Sequence, residues 1–264
     1  MFKAIRITIL LIVLLVVGMN AWLTQIRSTD WDTPLFVAIH PISGDNSNKT
    51  RQYLDRLEEW HFDDIELFMS TQATRYGVTL YGQSSSQPLS VQLGDRVNNI
   101  PPALPSNNSM FSSFIWSLKL RFWHWQMKKD SHLAGADIHL YVIYHDPDLL
   151  PVLEHSVGLQ KGMVGIVNAY SDRRYTKSNA VVMTHELMHT LGATDKYDPS
   201  TGNPTFPDGY AEPDRAPLHP QRYAEIMGGH IPVTGSSSKM PGSLAQTVVG
   251  RITAEEINWI TSEN

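Results

Sequence analysis

The stretch His185-Glu186-Leu187-Met188-His189-Thr190-Leu191-Gly192-Ala193-Thr194-Asp195 constrains this chain more than any other. Two histidines four residues apart lie one turn apart on the same face of a helix, so both imidazoles reach one ion. The segment is therefore predicted to be a helix that shows this face to a cleft. Zn²⁺ accepts neutral imidazole nitrogen well. Glu186, next to the first histidine, is placed to take a proton from a water at the ion without ligating it. Gly192 marks the end of the helix, because glycine enters the left-handed conformation with no Cβ penalty. The chain can then double back and offer Asp195 as a third ligand. Asp198 is its nearest competitor. An amphipathic helix with two surface histidines would need neither the glycine nor the carboxylate in register.

Composition removes several alternatives. The 264 residues contain no cysteine, which excludes a disulfide framework, thiolate-ligated metal and thiol catalysis. A net charge of −5 gives no basic bias toward nucleic acid. The length allows one large domain or two small ones, and 42% hydrophobic residues suffice for a core.

The N-terminus has its own signature. Residues 7–23 are almost unbrokenly apolar and follow Lys3 and Arg6. A signal peptidase cut after Ala21 would place Met19 where a small residue is needed, and Trp22 suits a bilayer interface. The reading is an uncleaved anchor: residues 1–6 cytoplasmic, 7–24 a transmembrane signal anchor, 25–264 one domain beyond it. Such a chain would sit in a bacterial inner membrane as a single-pass protein, with its domain in the periplasm or outside the cell.

Along the remainder, Pro34–Ile42 reads as a strand containing His40, more plausible as a core or edge histidine than as a ligand. Residues 50–76 read as largely helical, with Leu54, Leu57, His61, Ile65 and Phe68 on one face. Strands are expected at about 77–81 and 89–93. After a Pro-rich loop, Phe111, Phe114, Ile115, Leu118, Phe122 and Trp125 recur at helical spacing, Trp116 and Trp123 widen that face, and Lys119, Arg121, Lys128 and Lys129 add charge. This stripe is expected to pack on the sheet; the alternative is a helix lying on a membrane surface. Ala136–Tyr144 and Gly162–Tyr170 read as strands, and about 180–191 as the metal-binding helix. The loop from 196 to 222 is too long for a mere connection. Its Asp198, Asp208, Glu212 and Asp214 are conceivable Ca²⁺ ligands without the EF-hand spacing. A helix is expected at 253–261, opened by a Thr253–Glu256 capping box.

The pattern H-E-x-x-H-x-x-G-x-x-D resembles the metzincin clan of zinc metallopeptidases, matched at His185, Glu186, His189, Gly192 and Asp195. Most of that clan has His at the third ligand; Asp is the variant of its snapalysin-like members. Ile226-Met227-Gly228-Gly229 resembles the clan's methionine turn. The resemblance covers about residues 160–264 and implies an α+β fold, a metzincin-like mixed twisted sheet with an active-site helix, here preceded by one N-terminal transmembrane helix. It implies one Zn²⁺ per chain on His185, His189 and Asp195, Glu186 as general base, and Met227 as a structural floor. It also implies that the strand before the helix, with Gly165, Ile166 and Asn168, is an edge that binds a polypeptide substrate by strand addition; the plainer reading is an interior strand with glycines at bulges. Glu212 and Glu225 would be third ligands only in a thermolysin-like arrangement. Tyr197 and His230 are candidates for stabilising an oxyanion.

The expected activity is thus that of a membrane-anchored zinc endopeptidase. A non-peptidase zinc hydrolase would share the water chemistry, and a non-catalytic, zinc-stabilised envelope module would need the ligands but not Glu186.

Overall fold

The computed structural model describes residues 6–8, 11, 12, 15, 18, 30–80, 87–105, 109–129 and 131–261. The expected span at 7–24 falls mostly outside these residues. No helix among the described residues is long and apolar enough to cross a membrane.

Five strands form the main sheet: β1 (Leu35–Ser43), β2 (Leu89–Leu93), β3 (Ile138–His145), β4 (Val157–Leu159) and β5 (Val164–Tyr170). Their spatial order is β2-β1-β3-β5-β4. All neighbours are parallel except β4, which runs antiparallel to β5. A parallel sheet must be covered on both faces, which is why β3 and β5 are buried along nearly their whole length. The result is a mixed α/β fold with a mixed central sheet.

One face carries α1 (Asn48–Leu54), α2 (Asp63–Arg75) and, further along the chain, α4 (Thr176–Thr190). Val37, Ile39, Leu140, Val142 and Val167 form one core cluster with Ile65 and Met69 of α2 and Met183, Leu187 and Met188 of α4. The other face is covered by α3 (Met110–Lys129), whose Trp116, Leu120 and Trp123 pack with Ile42, Tyr141, Ile143, Val164 and Ile166.

The expected helix over 50–76 is broken. Ser47 caps α1 by accepting from the Thr50 amide at 3.0 Å. A new turn then starts at Glu58, where the Glu58 amide donates to His61 Nδ1 at 3.1 Å. Asp63, Asp64 and Glu66 open α2, where negative charge favours a helix N-terminus. The predicted face survives the break: Leu54, Leu57, His61, Ile65 and Phe68 are all buried. No strand follows at 77–80, and Tyr81 lies outside the described residues. Gly77 takes a φ of 68° and Val78 donates back to the Ala73 carbonyl at 3.0 Å, so this stretch closes α2 while Val78 and Leu80 fill the core.

Two further expectations fail. Phe111, Phe114, Leu118, Phe122 and Trp125 of α3 face outward, because the broader indoles of Trp116 and Trp123 with Leu120 fill the sheet-facing side. The C-terminal helix α5 spans Arg251–Glu256 with Gly250 at its N-cap, and Thr253 and Glu256 turn to other partners. Between α4 and α5 the chain forms four two-residue strands: β6 (Ala224–Glu225), β7 (Ile231–Pro232), β8 (Ser238–Lys239) and β9 (Thr247–Val248).

Candidate metal centre

Helix α4 is fixed at its start by Asn179, whose side chain accepts from the Tyr170 amide at 3.1 Å and donates to the Tyr170 carbonyl at 2.9 Å. This clamp joins the end of β5 to the first turns of α4. Two turns on, His185 and His189 project from one face with their rings 4.7 Å apart and nearly perpendicular. The helix ends as expected at Gly192, with φ 106°, and the Ala193 amide returns to the Met188 carbonyl at 3.0 Å.

That turn brings Asp195 back over the histidines. Asp195 Oδ1 lies 3.2 Å from His185 Nε2 and 3.1 Å from His189 Nε2. One ligand atom from each residue lies within 4.8 Å of the others, so His185, His189 and Asp195 form a cluster able to hold a metal ion. The tautomers sharpen this. His185 Nδ1 is 2.9 Å from the Ile226 carbonyl and His189 Nδ1 is 2.8 Å from the Ala193 carbonyl. A carbonyl only accepts, so each Nδ1 donates, and each Nε2 is left to face the carboxylate, where it donates when protonated and can ligate an ion when neutral. A proton on an imidazole or a metal cation can each satisfy this convergence of two imidazole nitrogens on one carboxylate oxygen. Ligands at Zn–N and Zn–O distances of about 2.0–2.1 Å in a tetrahedron stand roughly 3.3 Å apart, close to the spacing seen.

Electrostatics agree with a cation site. Burial opposes charge on His185, but its hydrogen bond to Asp195, the nearby Glu186 and the Ile226 carbonyl overcome that and raise its pKa. Burial likewise works against the Asp195 carboxylate, and the two histidines hold its pKa far below the usual range. Glu186 is buried, and burial raises its pKa against the charges of His185 and His189. Its Oε2 has no hydrogen-bond partner, the condition of a carboxylate kept in reserve beside a polar site.

Two residues that the sequence reading did not assign to the site shape this centre. A Cβ on Gly158 of β4 would stand 2.3 Å from the Glu186 carbonyl oxygen and 2.6 Å from His189 Cβ, so only glycine lets the edge strand lie against α4. Glu256 of α5 accepts from the Thr194 amide at 2.9 Å, the Thr194 hydroxyl at 2.6 Å and Lys196 Nζ at 2.7 Å. It thereby holds both neighbours of Asp195. Nothing local announces either: Gly158 acts through a segment almost thirty residues on, and Glu256 through one sixty residues back.

The strand assignment is corrected. β5, with Gly165, Ile166 and Asn168, is interior, paired with β3 on one side and β4 on the other. The edge is β4, because the chain forms one more short antiparallel strand before β5. Gly165 gives room to Leu140, whose Cδ2 would lie 2.6 Å from a Cβ there, and Asn168 hydrogen-bonds His145 and the 154–155 backbone.

The other candidates separate clearly. Met227 is fully buried in the main core cluster, and its carbonyl accepts from the Lys196 amide at 2.9 Å. Glu225 is no ligand: it is fully buried and accepts from the Gly228 amide, the Gly250 amide and the Thr253 hydroxyl at 2.7–3.0 Å. Glu212 pairs with Arg222 and Arg215, and Asp198 caps its own turn at Ser200, so these two are engaged away from any shared cation. The Tyr197 ring lies 6.3 Å from that of His185, and burial followed by the Asp195 charge pushes its phenol up to about 12. His230 is lowered by burial and by the charge of His185. His40 is a core histidine, with Nε2 3.0 Å from His139 Nδ1.

No protein-family model matches the chain, and no curated protein matches it. Among the solved structures that match are two of OgpA from Akkermansia muciniphila. The wild-type crystal structure matches with a TM-score of 0.37 and 14% identity over 87% of this chain and 62% of that one. A catalytically inactive form in complex with an O-glycopeptide substrate, glycodrosocin, matches with a TM-score of 0.35 and 12% identity over 84% of this chain and 58% of that one. The chain thus spans about six-tenths of these neighbours. Likeness at this level assigns neither family nor activity.

Proposed function

We propose that the protein is a metzincin-like zinc endopeptidase, anchored by residues 7–24 in a bacterial inner membrane with its domain on the periplasmic or outer side. The observation that carries the chemistry is the convergence of His185 Nε2, His189 Nε2 and Asp195 Oδ1 beside the unpartnered oxygen of buried Glu186. His185, His189 and Asp195 would hold a zinc ion, which would supply Lewis acidity to a water and to the scissile carbonyl. Glu186 takes the proton of the attacking water and delivers it to the leaving amine. The Ile226 and Ala193 carbonyls keep both imidazoles in the tautomer that ligates. Met227 packs as the floor beneath, and Tyr197 and His230 are the side chains available to an oxyanion. The substrate is a polypeptide that adds as a strand along the free edge of β4.

The test is paired. Elemental analysis of the full chain should find one zinc, retained in Glu186→Gln and lost in Asp195→Ala. Peptide hydrolysis should fall in Glu186→Gln by about 10²–10⁴, the usual worth of a general base. Retained peptidase activity in Glu186→Gln refutes the mechanism. Cleavage of esters but not of peptides by the wild type moves the assignment to another hydrolase, and zinc without any hydrolysis moves it to a structural module.

A further inference from the structure

Helix α3 satisfies the sheet with one side only. Its Trp116, Leu120 and Trp123 are buried, while Phe111, Phe114, Leu118, Phe122 and Trp125 stay between 48 and 73% exposed. The exposed five follow one another at intervals of three, four, four and three residues. On a helix this draws one continuous stripe opposite the buried side, about 21 Å long at 1.5 Å per residue. Single exposed apolar residues are ordinary on a protein surface, but a five-member aromatic and aliphatic stripe marks a contact surface.

The charges state what it contacts. Helix α3 contains Lys119, Arg121, Lys128 and Lys129 and no acidic residue, in a chain whose net charge is −5. Aromatic residues on one face with lysines and arginines beside them are the pattern of a helix lying in a bilayer interface. The chain's course agrees. The apolar run ends at Leu23, and Trp31 is already buried, its indole donating to the Ile257 carbonyl at 2.6 Å. Eight residues reach at most about 29 Å, so the domain cannot leave the vicinity of whatever holds that run. The same end of the sheet carries the end of α3: Lys128 Nζ lies 3.4 Å from the Ala136 carbonyl, and the Asp137 amide donates to the Phe36 carbonyl at 2.9 Å.

We propose that the outer face of α3 is a membrane-contact surface that lies in the headgroup region of an anionic bilayer and fixes the domain's orientation on it. The proposal uses the anchor proposed above as its tether and is independent of the metal chemistry. The absence of native cysteine makes the test direct. The full chain carrying Leu118→Cys, or Thr71→Cys on the exposed side of α2 across the sheet, is labelled with an environment-sensitive fluorophore. Each is reconstituted in vesicles of phosphatidylcholine, alone or mixed in equal parts with phosphatidylglycerol. In the mixed vesicles the label at position 118 should shift to the blue and be shielded from aqueous iodide several-fold, and the label at 71 should not. Adding Lys119→Glu and Lys129→Glu should lower the docked-to-undocked ratio by at least about fivefold per charge, since each lysine near an anionic surface contributes about 1 kcal/mol. Alkaline extraction of the same vesicles checks the tether separately, and an unchanged urea midpoint checks the fold of each variant. Equal iodide access at 118 and 71 in mixed vesicles would overturn the proposal. So would shielding that grows with protein concentration in detergent, which would give the face to a second copy of the chain, or equal shielding without the anionic lipid.

Discussion

Glu256→Ala offers the strongest check on how the centre is held together. Lys196 is buried, and its ammonium has three acceptors: the Thr194 carbonyl and hydroxyl, each at 2.8 Å, and Glu256 Oε2 at 2.7 Å. Removing the carboxylate leaves a buried cation without its counter-charge, which costs about 3–5 kcal/mol. It also releases the Thr194 amide and hydroxyl, and Asp195 lies between Thr194 and Lys196. Loss of such a support to a metal ligand typically lowers metal affinity 10–100-fold. The assay is urea unfolding of the metal-free chain together with zinc affinity measured by competition with a chelator. Replacing both charges, as in Lys196→Met with Glu256→Met, should recover most of the stability, because no unpaired charge remains, but not the zinc affinity. The pair also has a pH signature. Burial works against the Glu256 carboxylate, but Lys196 and Thr194 lower its pKa below the ordinary value. A depressed carboxylate stabilises the fold above its unfolded pKa, and that contribution is lost as pH falls through the folded value. Glu256→Ala should therefore cost most near neutrality and progressively less in acid. A loss under 1 kcal/mol with unchanged zinc affinity would refute this account of Asp195 positioning.

Other consequences follow from single observations. Gly158→Ala places a methyl against the backbone of α4 and should cost about 1–3 kcal/mol, with lower zinc affinity, by thermal unfolding and chelator competition; a neutral result would remove the close approach of β4 from the design. Glu225→Ala strands three buried donors and should cost at least about 3 kcal/mol in denaturant, loosening the turn that orients His185; a change near zero would contradict that anchoring. Burial lowers His124 to about 4 and His139 to about 3. Below the unfolded value near 6.5 the unfolded chain takes up protons that these histidines refuse, so stability falls as pH drops, by about 1.4 kcal/mol per pH unit for each. Between pH 6.5 and 5, where the unfolded histidines pass from half to nearly full protonation, the pair should remove about 3 kcal/mol, and His124→Phe should roughly halve that fall; a pH-independent unfolding free energy over this window would refute it.

The sequence by itself determined which side chains cluster at the candidate centre and most strands of the main sheet. His185, His189, Gly192 and Asp195 lie within eleven residues, and a helical repeat with a glycine stop fixes their relative placement locally. β1, β2, β3 and β5 were legible because a sheet covered on both faces demands runs of apolar and β-branched residues. Tertiary structure alone decided the rest. Whether β5 was edge or interior depended on β4, a three-residue strand with too little pattern to register. Which side of α3 faced the sheet depended on the fit of Trp116 and Trp123 against Tyr141 and Ile166, since an apolar helix with two hydrophobic sides has no preferred side until it packs. The partners of Thr194, Lys196 and Glu225 lie 25 to 62 residues away, at Gly250, Thr253 and Glu256. Long-range hydrogen bonds to side chains leave no periodicity in a sequence, so only the folded chain brings those residues to the candidate metal centre.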